Sequence, residues 1–401
     1  MVVRGRKLVK QASERLDAEK VPHGVLMAGD KRYAPSEKIQ ICSIDTIMRR
    51  SLRPPAKIIV IDEVHLATSW NYAKFISSYP DALVLGVTAT PYTEKSIRHL
   101  VDEVIRPITI SDLIARGYLV PPVYYAPEKP DLSAVRLCQR TKDFVLEQLE
   151  SAVSSIVGNI PEHWKKFGEN RPTLCFAVSV AHSKYIVSAF TSHGIAARHV
   201  DANTPDDERE QAFADLKSGK IKILSNVGIL GVGVDLPFVS CLIMARPTKS
   251  YCLWIQQLGR GTRPFPEKKN FIVLDHAGNC TSLGLLEDEP DARLDGTFKS
   301  PVSTVRICKN CFAAYKGGKC PYCEFVPDEV KKENIKIEVD GALALLRQTP
   351  QSTWTPEQHY MHLKEFGKTA GYHPGWVYHN LKKRCGEEIA RKLCKRPRFL
   401  K

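Results

Sequence analysis

The chain alternates short, continuous apolar runs with stretches in which apolar residues return at helical spacing. In the first hundred residues the runs at 39–43, 57–62 and 82–88 are short, bounded by polar residues and rich in β-branched side chains, so they predict strands. Near-continuous apolarity means burial on both faces, the pattern of a parallel sheet with helices on either side. Residues 111–131 include Gly117, Pro121, Pro122, Pro127 and Pro130 and read as a connector between domains. A helical stretch at 141–157 opens a second series, with strands expected at 173–178, 197–201, 222–225, 239–245 and 270–275. Helices are expected between them at 181–192, 205–218 and 250–258, the second with Thr204 as its cap and Pro205 in its first turn. Beyond Asp275 the pattern dissolves into an acidic loop, 287–295, then a cysteine cluster, then helical patterns at 339–346, 356–366 and 386–395. The fold class is therefore α/β, with two parallel-sheet domains followed by a small cysteine knuckle and a short helical tail.

Composition narrows the class. Of 401 residues 43% are hydrophobic and 25% charged, which excludes disorder and collagen-like repeats for most of the chain. No apolar run approaches the roughly 18–20 residues of a membrane span, and Met1 to Gln11 is basic without the apolar stretch of a secretory signal. A soluble, cytoplasmic protein with no membrane partner is expected. The net charge is +14, and residues 299–401 hold 20 basic against 10 acidic residues, so +10 of it lies in the last quarter. A basic terminal module suits a polyanion such as nucleic acid, or is simply a solvated basic face. Eight of the twelve cysteines, among them Cys42, Cys175 and Cys241, sit in or beside apolar segments and read as core thiols of a reducing compartment.

Four segments carry chemistry. The strand at 57–62 ends in Asp62-Glu63-Val64-His65, placing adjacent carboxylates at the carboxyl edge of a sheet, where open α/β folds bind ligands. Asp62 could hold Mg²⁺ and Glu63 could orient or deprotonate a water; alternatively the pair only begins a loop. Thr88-Ala-Thr90-Pro91 again follows a buried strand. Gly231-Val-Gly233-Val-Asp235 comes in the second half, and Gln256-Gln-Leu-Gly-Arg260-Gly-Thr-Arg263 sets two arginines three apart. Arginine suits charge developing on a transferring phosphoryl group because it stays ionised and its planar donors match the oxygens.

In this order the segments resemble motifs II, III, V and VI of the superfamily 2 helicases, the DEAD/DEAH-box relatives with two RecA-like domains, and most closely those of phages and prophages. Arg4-Gly-Arg6-Lys-Leu-Val resembles motif Ia, and Cys42 to Ile47 the segment around motif Ib. The resemblance implies a partial RecA-like ATP-binding domain at 1–125, a second RecA-like domain at 126–290, a knuckle at 300–328 and a basic helical tail at 335–401. It implies an ATP-dependent motor on DNA or RNA, with ATP and Mg²⁺ between the domains and nucleic acid across both. Asp62 would then hold Mg²⁺ and Glu63 activate water, while His65, Thr88 and Thr90 would link the nucleotide site to the nucleic-acid groove. Arg4 and Arg6 would bind nucleotide or nucleic acid, and Gly231, Gly233 and Asp235 would contact ribose and strand backbone. Gln256 would read the closed state, and Arg260 and Arg263 would reach the γ-phosphate. DNA is the expected polymer rather than RNA.

The sequence departs from the family at one place. The phosphate loop G-x-x-x-x-G-K-[ST] should precede motif Ia, and the only Gly-Lys-Thr, Gly367-Lys-Thr369, has His362 at the leading glycine position and no strand before it. The expectation is an amino-terminally truncated or misassigned frame, a loop supplied by another polypeptide, or a lost ATPase. The isolated chain is expected to be inactive, the alternative function being a non-catalytic nucleic-acid-binding remnant. Cys308-x2-Cys311-x8-Cys320-x2-Cys323, with Gly317-Gly318 between its knuckles, suits a structural Zn²⁺ held by four thiolates, with an iron–sulfur or redox site as the alternative. Asp275-His-Ala-Gly-Asn279 reads as a metal pair or as a loop closed by internal hydrogen bonds. The aromatics of 372–378 either stack on bases or pack a small helical hairpin on Trp376.

Overall fold

The apolar runs at 39–43, 57–62 and 82–88 are strands of one parallel sheet in the computed structural model, which describes residues 1–92, 95–126, 130–138, 143–153, 159–229, 235–296, 298, 303–327, 355–369 and 374–394. The sheet contains β1 (Val2–Val3), β2 (Gly24–Leu26), β3 (Gln40–Ser43), β4 (Ile58–Asp62) and β5 (Leu83–Val87) in the order β2-β3-β1-β4-β5, all pairs parallel. Its connections include α1 (Arg6–Ala18), α2 (Ile44–Arg50) and α3 (Trp70–Ser77). The register places Val2, Leu26, Cys42 and Ile61 on one face, where they pack with Ile44 and Ile47 of α2 and Tyr72 and Phe75 of α3. On the other face Val3, Val25 and Ile41 pack with Val9 of α1. That cover stops at β1. Over β4 and β5 the same face leaves Ile58, Leu83 and Leu85 half or more exposed, at 59%, 66% and 50%.

The second sheet runs β6-β11-β10-β7-β9-β8, again all parallel: β6 (Pro122–Tyr125), β7 (Thr173–Phe176), β8 (Ala197–Val200), β9 (Ile223–Asn226), β10 (Cys241–Met244) and β11 (Phe271–Asp275). Both faces are covered, one by α6 (Ile160–Phe167) and α7 (Val180–Ser192), the other by α8 (Asp206–Lys217), α9 (Tyr251–Leu258) and α10 (Asn279–Leu283). Strict alternation sends Leu174, Phe176, Leu242 and Met244 to one core and Cys175, Cys241 and Ile243 to the other. Of the stretch expected at 141–157, helix α5 (Leu146–Val153) is seen among the described residues.

Three expectations change. The connector 111–131 supplies β6, which pairs with β11, so the second sheet starts on the amino side of residue 126. Pro122 sits at the first position of an edge strand, where proline's missing N–H costs no ladder bond. Thr204 does not cap α8: its hydroxyl engages Asp201, Pro205 holds the cap position, and Asp206, Asp207 and Glu208 answer the helix N-terminal charge. The acidic segment 287–295 is not a free loop, because Leu294 buries in the first domain's core and its carbonyl accepts from the Ile97 amide at 2.8 Å.

The knuckle hairpin, β12 (Arg306–Ile307) with β13 (Ala314–Tyr315), lies against the second sheet, where the Ala126 amide donates to the Phe312 carbonyl at 3.0 Å. Residues 328–401 form a separate unit. Its described helices, Pro356–Thr369, Pro374–Cys385 and Glu387–Leu393, close around Leu363, Tyr378, Leu381 and Ala390, with Trp376 packed against them. For Trp376 and Tyr378 this is the hairpin reading, while residues 370–373 lie outside the described residues. Gly367-Lys-Thr369 ends a helix rather than opening one after a strand, and the helix expected at 339–346 lies outside the described residues.

Candidate nucleotide and nucleic-acid site

The site begins where β4 ends. Glu63 takes a left-handed backbone, φ 50° and ψ 49°, which costs an L-residue roughly 1–2 kcal/mol, and a short 3₁₀ turn, Val64–Leu66, follows. The turn tucks Val64 against β5 at Gly86, where a Cβ would stand 2.8 Å from one Val64 methyl and 2.9 Å from the other. That glycine therefore lets the turn fold back, so Asp62 stays on the open face while Glu63 and His65 reach the loop after β5.

There they form one network. Thr88 Oγ1 lies 2.8 Å from His65 Nδ1 and donates to Glu63 Oε2 at 3.1 Å; His65 Nδ1 is also 3.3 Å from that carboxylate. The Thr90 amide donates to Thr88 Oγ1 at 3.0 Å, and Thr90 Oγ1 stands 3.5 Å from His65 Nε2. From the second domain, Gln256 Nε2 approaches His65 Nε2 to 3.4 Å. One tautomer serves all these contacts: with the proton on Nδ1, His65 donates toward Glu63 and Thr88 and accepts from the Gln256 amide at Nε2.

The two carboxylates are tuned in opposite directions. Contact with His65, strengthened by Thr88 and the charge of Arg260, holds Glu63 below its ordinary range. Burial and the neighbouring Glu63 charge raise Asp62. A cation at Asp62 would relieve that repulsion, so the residue fits a Mg²⁺ carboxylate. Burial, then the charge of Arg263, pushes Arg260 down to about 10, while Glu63 across the domain boundary opposes the shift. Arg263 instead pairs with Asp235 within the second domain. Gly231 and Gly233 lie outside the described residues; Arg4, between β1 and α1, and Arg6, the first residue of α1, are both exposed.

Helix α9 carries Gln256 and leads to Arg260. Ser250 caps it, accepting from the Leu253 amide at 3.3 Å. The loop before it is braced by Asn279, the last residue of the Asp275–Asn279 segment, and by Asp143, which the sequence did not mark. Asn279 accepts from the Thr248 amide and donates to the Arg246 carbonyl, both at 3.0 Å, and Asp143 accepts from Thr248 Oγ1 at 2.8 Å and the Lys249 amide at 2.7 Å. Asp275 accepts from the amides of Ala277 and Cys280, the closed-loop arrangement rather than a metal pair. Lys268 Nζ donates to the carbonyls of Pro237, Val239 and Arg263, tying the segment after Asp235 to the arginine loop. Neither Asp143 nor Lys268 belongs to a spaced pattern, so only contact geometry reveals them.

In the knuckle the four sulfurs lie within 4.8 Å of one another, with Cys308–Cys323 at 3.5 Å and Cys311–Cys320 at 3.7 Å. Tetrahedral thiolates at about 2.3 Å from zinc stand roughly 3.8 Å apart, so the set fits. Without an ion the thiols are driven apart in acidity: the Phe325 backbone amide and then Asn310 draw Cys323 down to about 6, while burial pushes Cys311 up to about 12.

Two family models match: the type III restriction enzyme res subunit over residues 1–93 and the helicase conserved C-terminal domain over residues 153–264. A 51.5 kDa protein of Lactococcus phage (isolate 7-9) is 29% identical over 321 residues, covering 76% of this chain and 70% of its own. A Schizosaccharomyces pombe protein named as a mitochondrial ATP-dependent helicase, irc3, is 31% identical over 252 residues, covering 60% of this chain and 41% of its own. A solved fragment described as the HsdR subunit of a type I restriction enzyme from Vibrio vulnificus shares the fold, with TM-score 0.52, 20% identity, 68% of this chain and 52% of that one covered. The chain thus spans most of the phage relative but about two fifths of the yeast one. With the ordered motifs, the paired parallel sheets and these matches, the chain belongs to the superfamily 2 helicases.

Proposed function

We propose that this chain is the two-domain body of an ATP-dependent motor that moves along or unwinds nucleic acid, DNA rather than RNA, in the cytoplasm of a bacterial or phage-infected cell. One observation carries the reading: the line Glu63, Thr88, His65, Gln256 crosses the domain boundary through direct contacts. Water activation at Glu63 and domain closure at Gln256 are thereby coupled, and nucleic acid that favours closure would stimulate hydrolysis. Asp62 would hold the Mg²⁺ of ATP and Arg260 and Arg263 would meet the γ-phosphate, with Arg263 leaving Asp235 to do so. Cys308, Cys311, Cys320 and Cys323 would hold one structural Zn²⁺. The DNA preference draws on the restriction-enzyme description of the model matching residues 1–93.

These 401 residues contain no G-x-x-x-x-G-K-[ST] loop, and positioning of the phosphates is most of phosphoryl-transfer catalysis. The uncovered half of the first sheet supports completion by a strand, phosphate loop and helix, carried on an amino-terminal extension or another polypeptide. A parallel strand on the free edge of β5 would end beside Val87, two strands from Asp62, and its helix would cover Ile58, Leu83 and Leu85. A second reading, a binding protein that never turns over ATP, is favoured by the missing loop alone. DNA-stimulated ATP hydrolysis separates the two. Turnover is expected only when such a segment is fused to the chain, and abolished there by Glu63→Gln. No turnover in any fused form would leave the binding protein; robust turnover by the 401 residues alone would overturn the role given to the loop.

A further inference from the structure

Tyr92 follows Thr88-Ala-Thr90-Pro91 by one residue, yet it is 5% exposed within the core of the second domain, not of its own. Its ring meets Tyr251 edge-on, with centroids 4.9 Å apart at 83°, and lies 5.0 Å from Phe298. Its carbonyl accepts from Cys252 Sγ at 2.8 Å. Tyr251 and Cys252 are the first two residues of α9, the helix that carries Gln256 and leads to Arg260. The loop after β5 is therefore fastened to the start of α9 at one end, while Gln256 meets His65 one helical turn further along.

The acidic segment clamps this joint from outside. The Tyr251 hydroxyl donates to the Asp288 carbonyl, and Glu289 accepts from the Ile110 amide at 2.7 Å. Arg106 donates to the Pro290 carbonyl at 3.0 Å and to the Tyr92 hydroxyl at 3.4 Å, and Arg293 forms a parallel bridge with Tyr92. At the far end Gly296, with φ +77°, passes so close to the first domain that a Cβ would lie 2.6 Å from the Ser96 nitrogen. Segment 288–296 thus leaves the second domain, crosses Tyr92 and inserts Leu294 into the first domain's core.

We propose that Tyr92 is a positioning residue that couples the Thr88–Thr90 loop of the first domain to helix α9 of the second, with segment 288–296 as the strap that holds it in register. The reading as a coupling element rests on the proposed motor function; the mechanical linkage itself does not. When the domains shift, the loop bearing Thr88 and the helix bearing Gln256 move together about Tyr92, so Glu63 and Arg260 stay in phase.

Hydrogen exchange on the 401-residue protein, without nucleotide, tests the linkage independently of turnover. Tyr92→Ala is expected to speed exchange by about tenfold or more at both 88–91 and 251–258, with the amides of β4, β10 and β11 unchanged. Tyr92→Phe, which keeps the ring and the main-chain contacts, is expected to restore both segments. Gly296→Val, which lifts the strap without touching Tyr92, is expected to loosen the same two segments, and it carries the test if Tyr92→Ala does not fold. Acceleration confined to 91–98 and 288–298 with 251–258 unchanged, in whichever variant folds, would overturn the proposal. So would failure of phenylalanine to rescue.

Discussion

Asp62 and Glu63 are adjacent in the chain and opposite in electrostatics, which makes their contributions to stability separable by pH. Glu63 is held low by His65, so it stabilises the fold above the ordinary glutamate value of 4.5, and this contribution is lost as pH falls through its lower folded value. Asp62 is raised by burial and by Glu63, so its charge costs stability at neutral pH, a cost that vanishes once pH is below the ordinary aspartate value of 3.8. In thermal melts from pH 7 to 3.5, Glu63→Gln is expected to melt below the parent at pH 7 and to converge with it under acid. Asp62→Asn should melt above the parent at pH 7, by about 1–2 °C, and also converge. The same sign for both variants at pH 7 would contradict the network. At this scale the sequence was informative wherever chemistry is packed into a few consecutive residues. Glu63 and Thr88 each follow an apolar strand in the sequence, and the family resemblance is what grouped them with His65. The sequence could not show that Arg263 faces Asp235, since that pairing depends on how two loops of one domain meet.

Elements were legible in proportion to the length of their apolar runs rather than to their burial. The long apolar strands β4, β5, β7, β10 and β11 announce themselves by continuous apolarity; β1 and β2, two and three residues long, do not. Strand β6 was hidden by its prolines, and the acidic strap by its charge, because only Leu294 in it needs a core. The knuckle was read from spacing as a metal site, but its placement was not: Phe312 and Ala313 extend the second sheet at β6. Strand β6 is an edge strand whose outer partner is this hairpin, so the metal is expected to stabilise the sheet as well as the knuckle. Removing zinc with a chelator, or replacing Cys308 and Cys311 by serine, should raise amide exchange at 123–126 by about tenfold or more while β4 and β5 hold. Opening of the knuckle with 123–126 still protected would show that β6 stands without it.

At the scale of the molecule, charge is divided more sharply than fold. Residues 299–401 carry +10 of the net +14, and most of these lie in or beside the helical unit that begins at 328. Its described residues have a small core of Leu363, Tyr378, Leu381 and Ala390, so the rings of Tyr378 and Trp376 are committed to packing, while Lys364, Lys368 and Lys392 are exposed. Nucleic acid would meet it through cations rather than stacked rings. For every phosphate that the protein ceases to neutralise, the dependence of log affinity on log salt should flatten by roughly 0.7–0.9 units. Deleting 331–401 is therefore expected to weaken single-stranded DNA binding at low salt by an order of magnitude or more, to reduce the salt slope by about two to four units, and to leave sequence preference unchanged. The remainder should melt as before, because the two sheets and the strap lie within 1–327 and keep their cores. Binding measured by fluorescence anisotropy from about 50 to 300 mM salt decides the matter. An unchanged slope in the shortened chain would assign the tail's charge to solvation alone and leave the grip on nucleic acid to the two sheet domains.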